Sequence, residues 1–337
     1  MVITLRTMEV KCKPKFWLMY FVHRFWRLTP LYMIVLAVGT NLYDHIVKGP
    51  LKADEFEEFY QCKDKWWSHM LYFNNFYRPD KKCMTWSWYM SVDMQLYVLS
   101  SIFVYITHRK RKLGVALTVG LLLGGIVSAF IAEYVNGGQF VLMDLRFFEY
   151  WSKVYTMPYT RMSVYAVGLL LGVAITEHKG KPLMSLFNAS IVWVVAIVVG
   201  LFLVFINHTQ WRPNSDHWTN WQQSLYEALV RPTWAVCVAW VVYACCTGLG
   251  GVVNSILSWQ PFVVLSRLTY AVYLLHPVVI TFVVYSRRTP IYLDPLHLSL
   301  VYNYLGNVVI TYLLAAVFSL TFEIPTMALE KILLQGK

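Results

Sequence analysis

The chain has 337 residues, 58% of them hydrophobic and only 14% charged, with a formal net charge of +11 and 14 tryptophans. Soluble proteins carry roughly 25% charged residues, so the apolar surplus needs lipid to cover it, which excludes an ordinary soluble enzyme. The basic residues gather where apolar runs end, as they do beside membranes, and this excludes nucleic acid as their partner.

A membrane-spanning helix needs about 20 mostly apolar residues. Such stretches recur at roughly 16–43, 86–107, 113–134, 159–177, 186–206, 229–247, 261–285 and 299–321. They predict an all-α, polytopic integral membrane helix bundle of about eight transmembrane helices, forming one domain over 1–337. The opening, Met1 to Lys15, shows no cleavable signal peptide and runs straight into the first span. The domain is therefore expected to be N-terminally incomplete.

The first span carries Arg24 and Arg27 inside an apolar run. A charge at membrane depth costs at least about 2.5 kcal/mol, so it usually has a partner or a task. Tyr20, Arg24 and Arg27 fall on one helical face, and Pro30 frees a carbonyl and bends the helix. Two guanidinium groups beside a cavity suit a phosphorylated ligand or a carboxylate. The structural alternatives are snorkelling to the interface or pairing with Asp93. The segment 44–85 is read as a long extracytoplasmic loop, balanced in acidic and basic residues, where an oxidising compartment lets Cys62 and Cys83 pair.

The second span places Tyr89, Asp93 and Tyr97 on one side, with Gln95 nearby. A carboxylate entering apolar surroundings is either paired or protonated, and both states suit an orienting or catalytic role. The block His108-Arg-Lys-Arg-Lys112 follows and sets the cytoplasmic side, together with both termini. Arg161 stands at the outer end of the next polar-ended span, followed by Gly168 and Gly172, spaced for close helix approach. The 207–228 loop is expected to cap the bundle on the extracytoplasmic side, and Asn207-His-Thr within it is a glycosylation sequon. The 248–262 segment reads as a turn and a short amphipathic surface helix. The seventh span carries Tyr273 and His276 on one face, directly before Pro277. No phosphate-binding loop, dinucleotide fingerprint or metal-ligand spacing occurs, so no metal and no tightly bound cofactor is expected.

Three stretches carry a resemblance: Arg24-Phe-Trp-Arg27-Leu-Thr-Pro30, Trp88-Tyr-Met-Ser-Val-Asp93-Met-Gln95-Leu-Tyr97, and Leu265 through His276. In this order they resemble the membrane-bound acyltransferase 3 family, and within it the animal branch called nose resistant to fluoxetine. The resemblance implies a ten-helix fold of which this chain is the C-terminal part. It also implies transfer of an acyl group, acetyl or fatty acyl, from acyl-CoA to a hydroxyl of a lipid, glycan or small molecule. Arg24 and Arg27 are then expected to hold the donor, with Tyr20 and Arg161 as further binding residues. Asp93 and His276 are the expected catalytic pair, with Gln95 and Tyr273 lining the acceptor path. The family's histidine base lies in a helix upstream of the arginine motif, outside this chain. The partners are membrane lipids and acyl-CoA, in the endoplasmic reticulum or plasma membrane. A lipid or small-molecule transporter and an inactive truncated acyltransferase are the competing readings.

Overall fold

The computed structural model describes residues 14–47, 59, 61–77, 83–136, 150–178, 181–206, 218–289 and 298–335. The described residues contain helices and no strand. In chain order the helices are α1 (Pro14–Ile46), α2 (Cys62–Met70), α3 (Trp88–Arg109), α4 (Arg111–Val135), α5 (Met162–Glu177), α6 (Leu186–Phe205), α7 (Asn220–Thr247), α8 (Gly251–Leu257), α9 (Gln260–Arg267), α10 (Thr269–Tyr285), α11 (Leu298–Phe318) and α12 (Ile324–Gln335). Among the described residues, five helical stretches are long and apolar enough to cross a membrane: 85–109, α4, α6, α7 and 298–333. The pair α9 and α10, bent by 68°, makes a sixth if it counts as one broken span. Two of the eight expected spans, α1 and α5, form helices without meeting that test, α5 because it has only 16 residues.

The chain divides into two compact units, 13–91 with 258–337, and 92–257. In the first unit, α1 runs for 33 residues, about 50 Å at 1.5 Å per residue. Its buried stripe is Leu31, Tyr32, Val35, Leu36, Gly39 and Tyr43, and α2, α10 and α12 pack against the helix. The segment expected to be a long external loop contacts α1 where it is described. Phe59 packs on Tyr43, with ring centroids 5.3 Å apart. Farther on, the Tyr72 hydroxyl lies 3.1 Å from Thr29 Oγ1, and its ring meets Phe25. From Tyr43 back to Phe25 is roughly 27 Å of helix, so this stretch runs alongside α1 rather than standing away from it. The Cys62–Cys83 disulfide closes it, with Cα atoms 5.0 Å apart.

In the second unit, α4, α5 and α7 pack against one another, and α6 lies on α7. Helix α6 is apolar all round and almost wholly exposed, with only 6% of its span buried, the mark of a lipid-facing helix. Helix α7 begins at Asn220, so the last nine residues of the expected cap are helical. A capping box explains the start: Thr219 and Gln222 satisfy each other's backbone and side chain at the N-terminus. Gly248, in the left-handed region at φ 82°, ends the helix. Of the two glycines expected to allow close approach, Gly168 is exposed with nothing within 4 Å of an added Cβ and Gly172 is buried; a close approach is seen at Gly125, where an added Cβ would sit 2.5 Å from the Ser163 nitrogen.

Candidate functional site

Within the first unit, the stretch alongside α1 delivers His69 into a buried polar cluster. His69 Nδ1 lies 2.6 Å from the Tyr32 hydroxyl and 3.2 Å from Ser87 Oγ. Asn74 Nδ2 donates to Ser87 Oγ at 2.9 Å, and Ser91 Oγ donates to Asn74 Oδ1. His69, Tyr32, Ser87 and Ser91 have no exposed surface. Local structure explains the placement. The disulfide fixes the start of α2, Tyr72 at φ 55° turns the chain back after it, and the 3-10 turn Thr85–Ser87 presents Ser87 just before α3.

His69 Nε2 has no hydrogen-bond partner among the described residues. A buried acceptor left unsatisfied is less rare than a buried N–H left so. We therefore assign the hydrogen to Nδ1, donating to Tyr32, which leaves the buried Nε2 lone pair without a partner among the described residues. Burial, and secondarily the charge of Lys65, pushes the imidazole down to about 3, so it is neutral at physiological pH.

Helix α10 brings two of the expected residues to the same unit. The Tyr273 hydroxyl donates to the Trp86 carbonyl, beside Ser87, and its ring lies 5.7 Å from that of Tyr89. Tyr270 donates to the Leu28 carbonyl at 2.5 Å, tying α10 to α1. His276 Nδ1 lies 2.8 Å from the Tyr273 carbonyl. That carbonyl has lost its usual helical donor because residue 277 is a proline. The histidine supplies the missing hydrogen, which fixes its Nδ1–H tautomer.

The arginine pair separates by exposure. Arg24 is half-buried at the edge of the α1 stripe, whereas Arg27 is exposed. The reason is angular: three residues at 100° each leave Arg27 about 60° from Arg24, on the side away from Tyr32. Tyr20 sits one turn earlier, in an aromatic cluster with Phe16, Trp17 and Phe21. The neighbouring His23 bridges α1 to α12 through Glu330 at 2.7 Å.

Asp93 and Gln95 lie in the second unit, half-buried on α3. Arg161, also there, donates to the Tyr155 carbonyl at 3.0 Å and stacks over the Tyr155 ring at 4.7 Å. Around it lies a second buried cluster that sequence reasoning missed. Arg231 reaches Glu227 at 3.0 Å and Glu133 at 3.6 Å, and Tyr150 donates to Glu133 at 2.7 Å. The signal available was Glu227-x3-Arg231, an i, i+4 pair just ahead of an apolar run. His69 had a weaker signal, a histidine among aromatics between two cysteines. Asn207 lies outside the described residues.

The acyltransferase domain family matches residues 4–325. Nose resistant to fluoxetine protein 6 of Caenorhabditis elegans is 31% identical over 337 residues, covering 95% of this chain and 40% of that protein. Regulator of hypoxia-inducible factor 1 of the same organism is 24% identical over 283 residues, covering 77% of this chain and 52% of that protein. The chain thus spans about half, or less, of the length of these relatives. No solved structure matches.

Proposed function

Because this chain belongs to the acyltransferase 3 family, we propose that it moves an acyl group from acyl-CoA onto a hydroxyl of a lipid, glycan or small molecule within the bilayer. The observation that carries the reading is His69: a buried neutral imidazole, oriented by Tyr32 and Ser87, with Nε2 lacking a partner among the described residues. Tyr32 lies eight residues beyond Arg24 on α1, roughly 12 Å of rise. That spacing lets a donor be held by its phosphates at Arg24, with Arg27 as an outer contact, while its thioester lies toward His69.

In the step proposed, His69 takes the base role that the resemblance had given to an upstream histidine: Nε2 takes the proton from the acceptor hydroxyl as the oxygen attacks the thioester carbonyl. The carbon–sulfur bond breaks, and the departing CoA thiolate takes the proton from the imidazolium. Burial disfavours a charged His69, so the proton is passed on rather than stored. His276 and Tyr273 line the same unit and shape the acceptor path.

A second reading, lipid or small-molecule handling without chemistry, draws on the 68° break between α9 and α10, since broken helices also line transport sites. One assay separates the two. Full-length protein in lipid vesicles is given labelled acyl-CoA, and free thiol and labelled ester are both measured. The acyltransferase reading expects both to rise together. Movement of label across the bilayer with no new ester and no thiol overturns it.

A further inference from the structure

Between α5, α6 and α7 of the second unit runs a groove of about 630 Å³. Its walls are apolar, with Val164, Leu171, Leu203 and Trp234 among them, and Arg161 and Arg231 line it as well. The two carboxylates of the neighbouring cluster, Glu133 and Glu227, do not belong to the lining, although both hold Arg231. Both arginines therefore belong to the groove lining while the two carboxylates that hold Arg231 lie outside it. Arg161 immediately precedes α5 and Arg231 lies in the first half of α7, the halves that the basic-loop orientation places toward the extracytoplasmic side, with Leu171 and Val242 farther along each helix.

Gly168 adds an independent observation. It is exposed on the groove wall, and a Cβ built there meets nothing within 4 Å. Helix packing therefore does not require this glycine, and glycine costs about 1 kcal/mol in a helix relative to alanine. A side chain at this position would project from the groove wall into open space.

We propose that this groove is a binding site for an anionic glycerophospholipid of the extracytoplasmic leaflet, its phosphate held by Arg161 and Arg231 and one acyl chain lying along Gly168. A guanidinium pair binds phosphate oxygens bidentately, and the Val, Leu and Trp walls match a hydrocarbon chain. The site is separate from the acyl transfer proposed above, and its test does not depend on turnover.

The test uses the full-length protein in phosphatidylcholine vesicles doped with a photoactivatable phosphatidic acid or, in a parallel arm, a photoactivatable phosphatidylcholine. Labelled peptides are mapped after illumination. Phosphatidic acid is expected to label 161–171 and 230–242 at least about tenfold more than phosphatidylcholine, equivalent to about 1.4 kcal/mol of preference. Gly168→Trp, which fills the groove, is expected to abolish that excess. Gly120→Trp, at another helix position where a Cβ meets nothing within 4 Å, is expected to retain it. Arg161→Gln is expected to equalise the two lipids. Equal labelling by both lipids in the unaltered protein, or excess labelling that persists in Gly168→Trp, overturns the proposal and leaves only bulk annular lipid.

Discussion

Replacing Cys62 and Cys83 together by serine tests how the His69 site is held. The disulfide closes a loop with a sequence separation of 21, and the segment inside it carries His69, Tyr72 and Asn74. Losing a cross-link of that length costs about 3 kcal/mol in the chain-entropy model. The penalty falls first on local opening of 62–77, because that stretch has little regular structure of its own. It is held by α2, a few turn hydrogen bonds such as Phe73 N–H to the Ser68 carbonyl, and the contacts to α1. Three kcal/mol corresponds to about a hundredfold rise in the opened population. Hydrogen exchange of the Tyr72 and Phe73 amides in detergent is expected to quicken by up to that factor, while the amides of α4 and α7 stay as they were. Acyl-CoA turnover is expected to fall with the same change. Unaltered exchange at Tyr72 and Phe73 in the double variant would show that the contacts to α1 suffice alone, and would refute the argument that the cross-link positions His69.

Three further outcomes follow from particular contacts. Because His69 titrates near 3 when folded and near 6.5 when unfolded, the unfolded chain binds the extra proton between those values. Stability is then expected to fall by about 1.4 kcal/mol per pH unit from 6.5 downward and to be insensitive to this group above 6.5; in His69→Gln, thermal unfolding in detergent should lose that slope. Arg231→Met leaves Glu133 and Glu227 buried without their shared cation and is expected to destabilise the protein by about 3–5 kcal/mol, read as a lowered unfolding midpoint. Gly125→Ala drives a methyl against the Ser163 backbone and is expected to cost about 1–3 kcal/mol, whereas Gly120→Ala, with open space around it, should be neutral or stabilising by the same measurement.

The helical class and most element positions were legible in the sequence because lipid imposes a single rule: long apolar stretches must satisfy their own backbone. Helix α6, apolar on every face, shows that rule at its clearest. Helix α7 shows where the rule stops, because its first turns carry Gln222 and Glu227, which hydropathy reads as loop although a capping box starts a helix there. The glycines at 168 and 172 had the spacing for helix contact, yet Gly168 is exposed while Gly172 is buried, and a tight crossing falls at Gly125, since spacing says nothing of which face a neighbour approaches. Paired cysteines were readable, but the placement of the segment between them was not. A balanced, aromatic-rich loop lying along a helix has the same composition as one lying at the interface, and only the contacts of His69 and Tyr72 distinguish them. Sharing a face gave no exposure for the arginines, because 60° of helical rotation separates the half-buried Arg24 from the exposed Arg27.

The most direct test of the acyl-transfer account is a single-turnover measurement of CoA thiol release by full-length protein carrying His69→Gln, beside Tyr32→Phe and the unaltered protein. Glutamine keeps much of the polar contact to Tyr32 and Ser87 but has no basic nitrogen. The account predicts that His69→Gln lowers the chemical step by at least about a hundredfold, with acyl-CoA affinity retained and Tyr32→Phe intermediate. A folded His69→Gln protein that releases thiol at the unaltered rate would contradict it.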